Sequence, residues 1–146
     1  MYVVGVHGEC QVPAWSAATI GGVGIDQALA EAGTTEIDRK KLADECKRRT
    51  HEIRREKGAT PFGTGAILAS ICASVLLDRR NVRPVSHFQP EHGCCLSAPA
   101  VLGRGGIVKT IPLPLAEEEQ KVVAESAARV KREVDELLEQ CKAGAW

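Results

Sequence analysis

The sequence has few aromatic residues and no net charge. Aromatic side chains make up 3% of the 146 residues, which argues against a stacking platform for single-stranded nucleic acid. Lys plus Arg and Asp plus Glu each number 19, so the chain as a whole has no long-range field to attract nucleic acid or an anionic membrane. We therefore expect neither class of partner.

Export and membrane signals are also lacking. No charged stretch followed by an apolar stretch opens the sequence, so no signal peptide is predicted. The longest apolar run, Gly63–Leu77, is shorter than the roughly twenty residues of a membrane span, and we interpret it as a helix buried in a core. Six cysteines are too few for a disulfide scaffold, so a cytoplasmic protein with reduced thiols is expected.

Glycine patterns that hold nucleotide phosphates are missing. The run that starts at Gly63 and Gly65 lacks the third glycine of G-x-G-x-x-G and does not follow an apolar strand. The glycines of 103–106 open a strand rather than a helix, and no Walker A pattern is present. The chain therefore contains no nucleotide-binding fingerprint.

What is present is a globular composition, 44% hydrophobic and 26% charged, with an order of elements typical of one α+β domain over residues 1–146. An antiparallel sheet packed with long α-helices is expected. The predicted elements are a strand at Tyr2–Val4, short strands or irregular structure at Gln11–Gly24, a helix at Ile37–Lys57 stopped by Gly58, a buried helix from Pro61 with Thr60 as N-cap, an edge strand at Val82–Phe88, strands at Leu96–Leu102 and Ile107–Leu113 joined by a four-residue loop, and a helix at Ala116–Lys142.

The helix at Ile37–Lys57 has a strongly basic face. Asp44, Glu45 and Glu52 lie on the same helix and can form ion pairs with it. A solvated, charge-paired face is therefore favoured over a surface for nucleic acid or phosphate. The basic residues are Lys40, Lys41, Lys47, Arg48, Arg54 and Arg55.

Two groups of residues could carry chemistry. His7 lies between two glycines where a strand ends, a position that presents its imidazole for proton transfer near neutral pH. A second group contains residue types that bind zinc, which leaves a small zinc protein as a weaker alternative. Adjacent cysteines are awkward co-ligands and no second C-x-x-C pair exists, so no metal is expected. That group consists of His87, His92, Cys94 and Cys95.

Residues 5–16, GVHGECQVPAWS, resemble the active-site segment G-E-H-G-D-S-x-x-P-x-W-S of the NAD-dependent L-lactate and malate dehydrogenases. Residues 53–63, IRREKGATPFG, are similar to the family segment that ends in K-G-A-T before aromatics and a glycine. Three further matches follow in family order: V-x-P-V-S at residues 82–86, S-x-P-x-x-L-G at 97–103 and L-x-x-x-E-E at 113–118. The resemblance covers nearly the whole chain, but only the C-terminal half of the family.

This resemblance implies the family's α+β C-terminal domain, with no counterpart of the Rossmann half that binds NAD. It implies an L-lactate dehydrogenase-type oxidoreductase that moves hydride between NADH and a small 2-oxo acid such as pyruvate, working as a homo-oligomer. His7 would be the catalytic acid/base. Thr60 and Thr50 would line the substrate pocket, and Thr64 would lie near the nicotinamide.

The sequence departs from the family at Val6, Glu9 and Pro61. Thr60 favours lactate dehydrogenase over malate dehydrogenases with glycine there, although a plain helix N-cap explains it equally well. A malate or other 2-hydroxy acid dehydrogenase fragment remains an alternative, as does a truncated, non-catalytic oligomerisation homologue. We expect the isolated chain to be inactive and to self-associate or be poorly soluble, with the strand at Tyr2–Val4 exposed.

Overall fold

The computed structural model describes residues 1–8, 10–34, 37–142 and 144. An α+β fold with an antiparallel sheet and long helices is present, as the sequence predicts. The elements are β1 (Val3–Gly5), β2 (Gln11–Pro13), β3 (Thr19–Ile20), β4 (Val23–Gly24), α1 (Ile25–Glu31), α2 (Arg39–Lys57), α3 (Pro61–Leu76), β5 (Asn81–Gln89), β6 (Cys94–Gly103), β7 (Gly106–Thr110) and α4 (Glu117–Lys142).

The main sheet has the strand order β2-β1-β6-β5, with β7 paired to β6, and β3 and β4 form a separate two-stranded sheet. β1 runs antiparallel to β2, where Val4 faces Val12, and antiparallel to β6, where Gly5 faces Ser97. The expectation of an exposed first strand is therefore wrong, because β1 lies inside the sheet and Val4 is buried. β5 lies at the sheet edge, as Pro84 predicts.

The chain divides into two compact units. Unit 1 contains residues 1–17, 84–98 and 113–146, and unit 2 contains residues 18–83 and 99–112. In unit 1, α4 packs on β1 and β2. The core of this unit consists of Val4, Val12, Cys94, Leu96, Val123 and Ala127.

The apolar side chains of α4 are buried only in the first half of the helix. Val123 and Ala127 are in the core, whereas Val134 and Leu137 are 44% and 50% exposed. The helix itself spans nearly the predicted range, because the 3.6-residue periodicity continues to its end. Periodicity thus locates the helix but does not show how much of it is covered.

In unit 2, α2 begins at Arg39, two residues after the predicted start, and ends at Lys57 before Gly58, as predicted. The Asp38 side chain accepts the backbone N–H of Lys41 at 2.8 Å, and Gly58 closes the helix in the left-handed region with φ +74°. α1 was not predicted from the sequence. It is seven residues long, has no buried residue and has Gly24 as an N-cap without a side chain, so it carries little amphipathic or capping signal.

α3 begins at Pro61 after Thr60, as predicted, but the expectation that it is buried is wrong. Phe62, Ile67 and Leu76 are 82%, 63% and 71% exposed, and Ser74 is its buried residue. An apolar run indicates a surface that avoids water, but the described residues of this unit do not cover it.

None of the described helices is by itself long and apolar enough to cross a membrane, whereas α2 and α3, bent by 116°, meet that test together by length and composition.

The β6–β7 hairpin is tighter than predicted. Gly103 pairs with Gly106, so the loop is the two residues Arg104 and Gly105 rather than four. β7 ends at Thr110, short of the predicted Leu113. The backbone N–H of Arg104 donates to Asp78 Oδ1 at 2.8 Å, which ties the hairpin to the turn after α3.

Candidate active site

The His7 loop leaves the end of β1 through two glycines in the left-handed region, Gly5 at φ +86° and Gly8 at φ +99°. Both angles disfavour any side chain, and a Cβ on Gly5 would also lie 3.4 Å from the Cys10 carbonyl oxygen. The backbone N–H of Gln11 donates to the Gly8 carbonyl at 3.2 Å and closes the loop. The chain thereby turns sharply around His7, whose side chain is exposed.

His7 is a free-standing imidazole within the described part of the chain. No hydrogen bond or ion pair joins it to another described residue, and Glu9 lies outside the described residues. The exposed position leaves the ring within reach of a reactant, which proton-transfer catalysis requires. Its tautomer and orientation are not set by any described side chain.

Cys10, just beyond this loop, contacts α4. The Nη2 atom of Arg129 lies 3.0 Å from the Cys10 sulfur, and its Nε lies 3.7 Å from Glu133. The contact joins residues 119 positions apart in the sequence. It anchors the far side of the His7 loop to the helix that also packs on β1.

A second anchor holds the end of the active-site-like segment. Glu119 Oε1 accepts the backbone N–H groups of Trp15 at 2.8 Å and of Ser16 at 3.2 Å, and Oε2 accepts the Ser16 hydroxyl. The backbone N–H of Ala116 donates both to Ser16 Oγ at 2.9 Å and to Glu119 Oε2 at 3.1 Å. Glu119 therefore caps the start of α4 and fixes the Trp15–Ser16 segment at once.

These hydrogen bonds control the charge of Glu119. Burial raises the pKa of this half-buried carboxyl, but donation by the Ser16 hydroxyl and by the N–H groups of Ser16, Ala116 and Trp15 lowers it by more. The net pKa lies below the ordinary value of 4.5, so the carboxylate is charged at neutral pH.

The predicted pocket residues lie in unit 2. Thr60, at the N-cap of α3, makes no side-chain hydrogen bond to the helix backbone; its hydroxyl lies 3.4 Å from that of Thr64, one turn later. The structure thus brings Thr60 and Thr64 together. Thr50 is an exposed residue of α2 whose hydroxyl donates to the Cys46 carbonyl at 3.5 Å. His7 belongs to unit 1.

Two residues of the zinc alternative, His87 and Cys94, are held in other ways. His87 lies 3.0 Å from the Val85 carbonyl oxygen and 2.7 Å from the Gln89 amide nitrogen, and the Cys94 thiol is buried 3.6 Å from the Ala127 carbonyl oxygen. Burial raises the pKa of the Cys94 thiol, which opposes the thiolate form that zinc needs. No three His, Cys, Asp or Glu side chains converge on one point in the described residues, so the zinc alternative gains no support.

Both glycine clusters lie within regular secondary structure or its tight turn. Gly63 and Gly65 lie inside α3, and 103–106 form the β6–β7 turn. Neither presents the strand-to-helix glycine turn on which a dinucleotide pyrophosphate is bound. The two described glycine clusters thus form no cradle for the phosphates of a dinucleotide.

Glu119 and Arg129 were not predicted from the sequence as residues that support the site. In the sequence, Glu119 is one of three glutamates at the start of a helix, where negative charge is generally favourable, and Arg129 belongs to no motif. Their partners are 103 to 119 positions away, so no local pattern could reveal them.

A family model described as "lactate/malate dehydrogenase, alpha/beta C-terminal domain" matches residues 1–141. Among curated proteins, the chain is similar to L-lactate dehydrogenase A of Rhizopus oryzae, with 35% identity over 130 residues that cover 89% of this chain and 40% of that protein. It is also similar to the L-lactate dehydrogenase of Thermus aquaticus, with 38% identity over 137 residues that cover 89% of this chain and 44% of that protein.

Among solved structures, the chain is similar to MGS-M5, a lactate dehydrogenase enzyme from a Medee basin deep-sea metagenome library. The TM-score is 0.83 at 25% identity, and the match covers 92% of this chain and 45% of that one. The chain thus spans less than half the length of these relatives.

Proposed function

The chain belongs to the lactate/malate dehydrogenase family, whose alpha/beta C-terminal domain it carries over residues 1–141, and on that premise we propose that it supplies the catalytic histidine and the substrate-facing threonines of an L-lactate dehydrogenase. The reaction is the interconversion of a small 2-oxo acid, such as pyruvate, and the corresponding 2-hydroxy acid. Relatives that match over most of the chain are named L-lactate dehydrogenases, which supports the lactate type.

The observation that carries this proposal is the presentation of His7. Its imidazole is exposed between Gly5 and Gly8, whose positive φ angles form the loop at the end of β1. The contacts of Cys10 with Arg129 and of Trp15 with Glu119 hold the segment after the loop on α4. Acid/base catalysis needs a reactive side chain that is presented on an anchored loop, and these contacts supply the anchor.

In this proposal His7 transfers the proton to and from the substrate oxygen. During reduction, its protonated imidazole donates a proton to the carbonyl oxygen of the 2-oxo acid, and that oxygen becomes the hydroxyl of the 2-hydroxy acid. During oxidation, the neutral imidazole takes the hydroxyl proton back. NAD supplies or accepts the hydride when it is bound.

We place the phosphates of NAD outside the described residues, because these residues contain no glycine cradle for a pyrophosphate. The relatives are more than twice as long as the part that matches this chain, so they have room for such a site. Thr64, with its hydroxyl exposed on α3, is our candidate for contact with the nicotinamide end.

Thr60 and Thr50 are our candidates for the substrate pocket. The missing cap bond of Thr60 supports a pocket role, since its hydroxyl is not used to stabilise the backbone of α3. Thr60 also favours pyruvate over substrates with larger groups beside the carbonyl. All six cysteines are free thiols, which agrees with action in the cytoplasm.

The test is a chimaera that joins the N-terminal part of the Thermus aquaticus L-lactate dehydrogenase to residues 1–141 of this chain. We expect oxidation of NADH with pyruvate to exceed that with oxaloacetate. A folded chimaera that binds NADH but turns over neither substrate would contradict the proposal, with the unaltered Thermus aquaticus enzyme as the reference for activity.

A non-catalytic oligomerisation role is the second candidate. The exposed apolar side chains of α3, Phe62, Ile67 and Leu76, favour it, because such a surface is typical of an interface. The same chimaera separates the two: an inactive but fully assembled oligomer would support this role.

A further inference from the structure

The cations of α2 follow a regular spacing. Basic residues stand together three times, at 39–41, 47–49 and 54–55, and within these runs the pairs 40–41, 47–48 and 54–55 recur every seven residues. Five of the six side chains are exposed and Lys47 is half-buried. We call this surface the paired-cation face; its residues are Lys40, Lys41, Lys47, Arg48, Arg54 and Arg55.

Helical geometry arranges these residues in two rows. At roughly 100° per residue, the first members of the pairs form one row and the second members form another, about 100° around the helix. Seven residues correspond to about 10.5 Å of rise, so each row extends about 21 Å. For a helix about 10–12 Å across, the rows are roughly 9 Å apart.

Acidic residues are concentrated beyond one edge of this face. Between the two rows lie His51 and a single acid, Asp44, whereas Glu45, Glu52 and Glu56 follow outside the second row. Arg48 and Arg49 donate to Glu52 at 2.6 and 3.2 Å, at that edge. The whole helix has nine Lys or Arg and four Asp or Glu, although the chain as a whole is neutral.

We propose that the paired-cation face of α2 binds the phosphate backbones of duplex nucleic acid without reading its sequence. An α-helix fits the major groove, about 12 Å wide, and two rows of cations can then reach the two flanking strands. The cations lie along the two edges of the face, towards the phosphates, and its centre holds His51 and the short acid Asp44, so base recognition is not expected. Binding is driven by the release of counterions from the phosphates.

The absence of apolar residues on this face disfavours other anionic partners. A lipid surface takes up the apolar side of a helix, and the exposed apolar residues of α2, Leu42 and Ile53, lie on the side opposite the paired-cation face, which would then point away from the lipid. A protein partner needs a buried apolar or aromatic anchor, because exposed ion pairs alone contribute little. A polyanion needs neither, since each neutralised phosphate contributes through counterion release.

The zero net charge of the chain argues against a nucleic-acid partner. The local concentration of cations on α2 nevertheless favours one at this surface. At physiological ionic strength the Debye length is about 8 Å, so charges elsewhere on the surface are largely screened from this face. Net charge governs long-range attraction, whereas contact binding depends on the charges within that distance.

The test is fluorescence anisotropy of a labelled 24-base-pair DNA duplex titrated with the full chain at 50 to 200 mM salt. We expect micromolar affinity at low salt and a log–log salt slope of about −3 to −5, six cations at about −0.9 each setting the limit. The variant K41Q/R48Q/R55Q removes one row and should weaken binding at least tenfold, with the slope shallower by about 2 to 3.

The matched control is K121Q/R132Q/K142Q, which also removes three positive charges, here from exposed positions of α4. Its affinity for the duplex should equal that of the unaltered chain. Circular dichroism checks that both variants keep their helices. Equal weakening by the control would overturn the proposal, as would the absence of duplex binding at low salt. Equally tight binding of single-stranded DNA, polyglutamate or anionic phospholipid vesicles would also overturn it.

Discussion

The carboxylate of Glu119, in the first turn of α4, accepts the backbone N–H of Trp15 at 2.8 Å across 104 positions of sequence. The same carboxylate accepts the backbone N–H of Ala116 at the start of its own helix. One side chain therefore joins the end of the His7-containing segment to the helix on which it rests. This contact places a stabilising carboxylate close to the proposed catalytic segment. Because that carboxylate titrates, the stability of unit 1 depends on pH.

Replacing Glu119 with Gln should destabilise the chain by about 1–3 kcal/mol at pH 7, because N–H groups that donate to a carboxylate lose a charged acceptor. The depressed pKa of Glu119 means that its contribution is complete above the ordinary value of 4.5 and is lost as pH falls through the lower folded value. Urea unfolding at pH 7 and in the acid range measures both effects. Glu118→Gln, in the same turn, is the control and should change little; an equal loss would contradict this account.

Replacing His7 with Gln in the active chimaera should lower turnover by about 10²–10⁴, the range typical of a general acid/base. NADH binding should hardly change, because His7 holds no part of the phosphates. Steady-state kinetics and calorimetry measure the two effects separately. His92→Gln, at another histidine of unit 1, should retain activity, and near-normal turnover of the His7 variant would remove it from the mechanism.

Replacing Thr60 with Gly should enlarge the space beside the methyl group of pyruvate. Bulkier 2-oxo acids should gain in kcat/KM relative to pyruvate by roughly tenfold to two-hundredfold, since a difference of one methylene is worth about 1–3 kcal/mol. Competition between 2-oxobutyrate and pyruvate in the chimaera measures the ratio. A variant that loses stability and keeps its preference would assign Thr60 to helix capping alone.

Replacing Leu96 with Ala should cost about 2–5 kcal/mol of unfolding free energy, because this side chain is 3% exposed in the core of unit 1. Leu76→Ala is the matched control, since that leucine is 71% exposed on α3. Chemical unfolding of both variants gives the comparison. Similar costs at the two positions would show that the apolar face of α3 is covered in solution.

The isolated chain should not turn over lactate and should bind NADH no more tightly than about 1 mM, roughly −4 kcal/mol. It should also self-associate through the exposed apolar residues of α3. Calorimetric titration and light scattering measure these properties, and F62N/I67N should reduce the association without altering β1 or α4. Micromolar NADH binding would show that this chain holds the cofactor itself.

The sequence alone determined the α+β class, the family, the limits of α2 and α4, and the position of His7 between two glycines. These properties rest on local physics: the 3.6-residue period of amphipathic helices, the caps at Asp38 and Gly58, and the left-handed φ that glycine adopts. Residues near one another in the chain carry such signals. The roles of Thr60, Thr50 and Thr64 stay predictions from the family resemblance.

Only the tertiary structure decided which surfaces are covered and which distant side chains meet. It buried Val4 inside the sheet, left α3 exposed and gave α1 its helical turns without any buried residue. It also joined Glu119 to Trp15 and Arg129 to Cys10. The hydrophobicity of a side chain predicts that it is buried, and its charge predicts that it forms an ion pair or hydrogen bond, but neither property identifies the partner. Contacts between residues about a hundred positions apart form only when the chain folds.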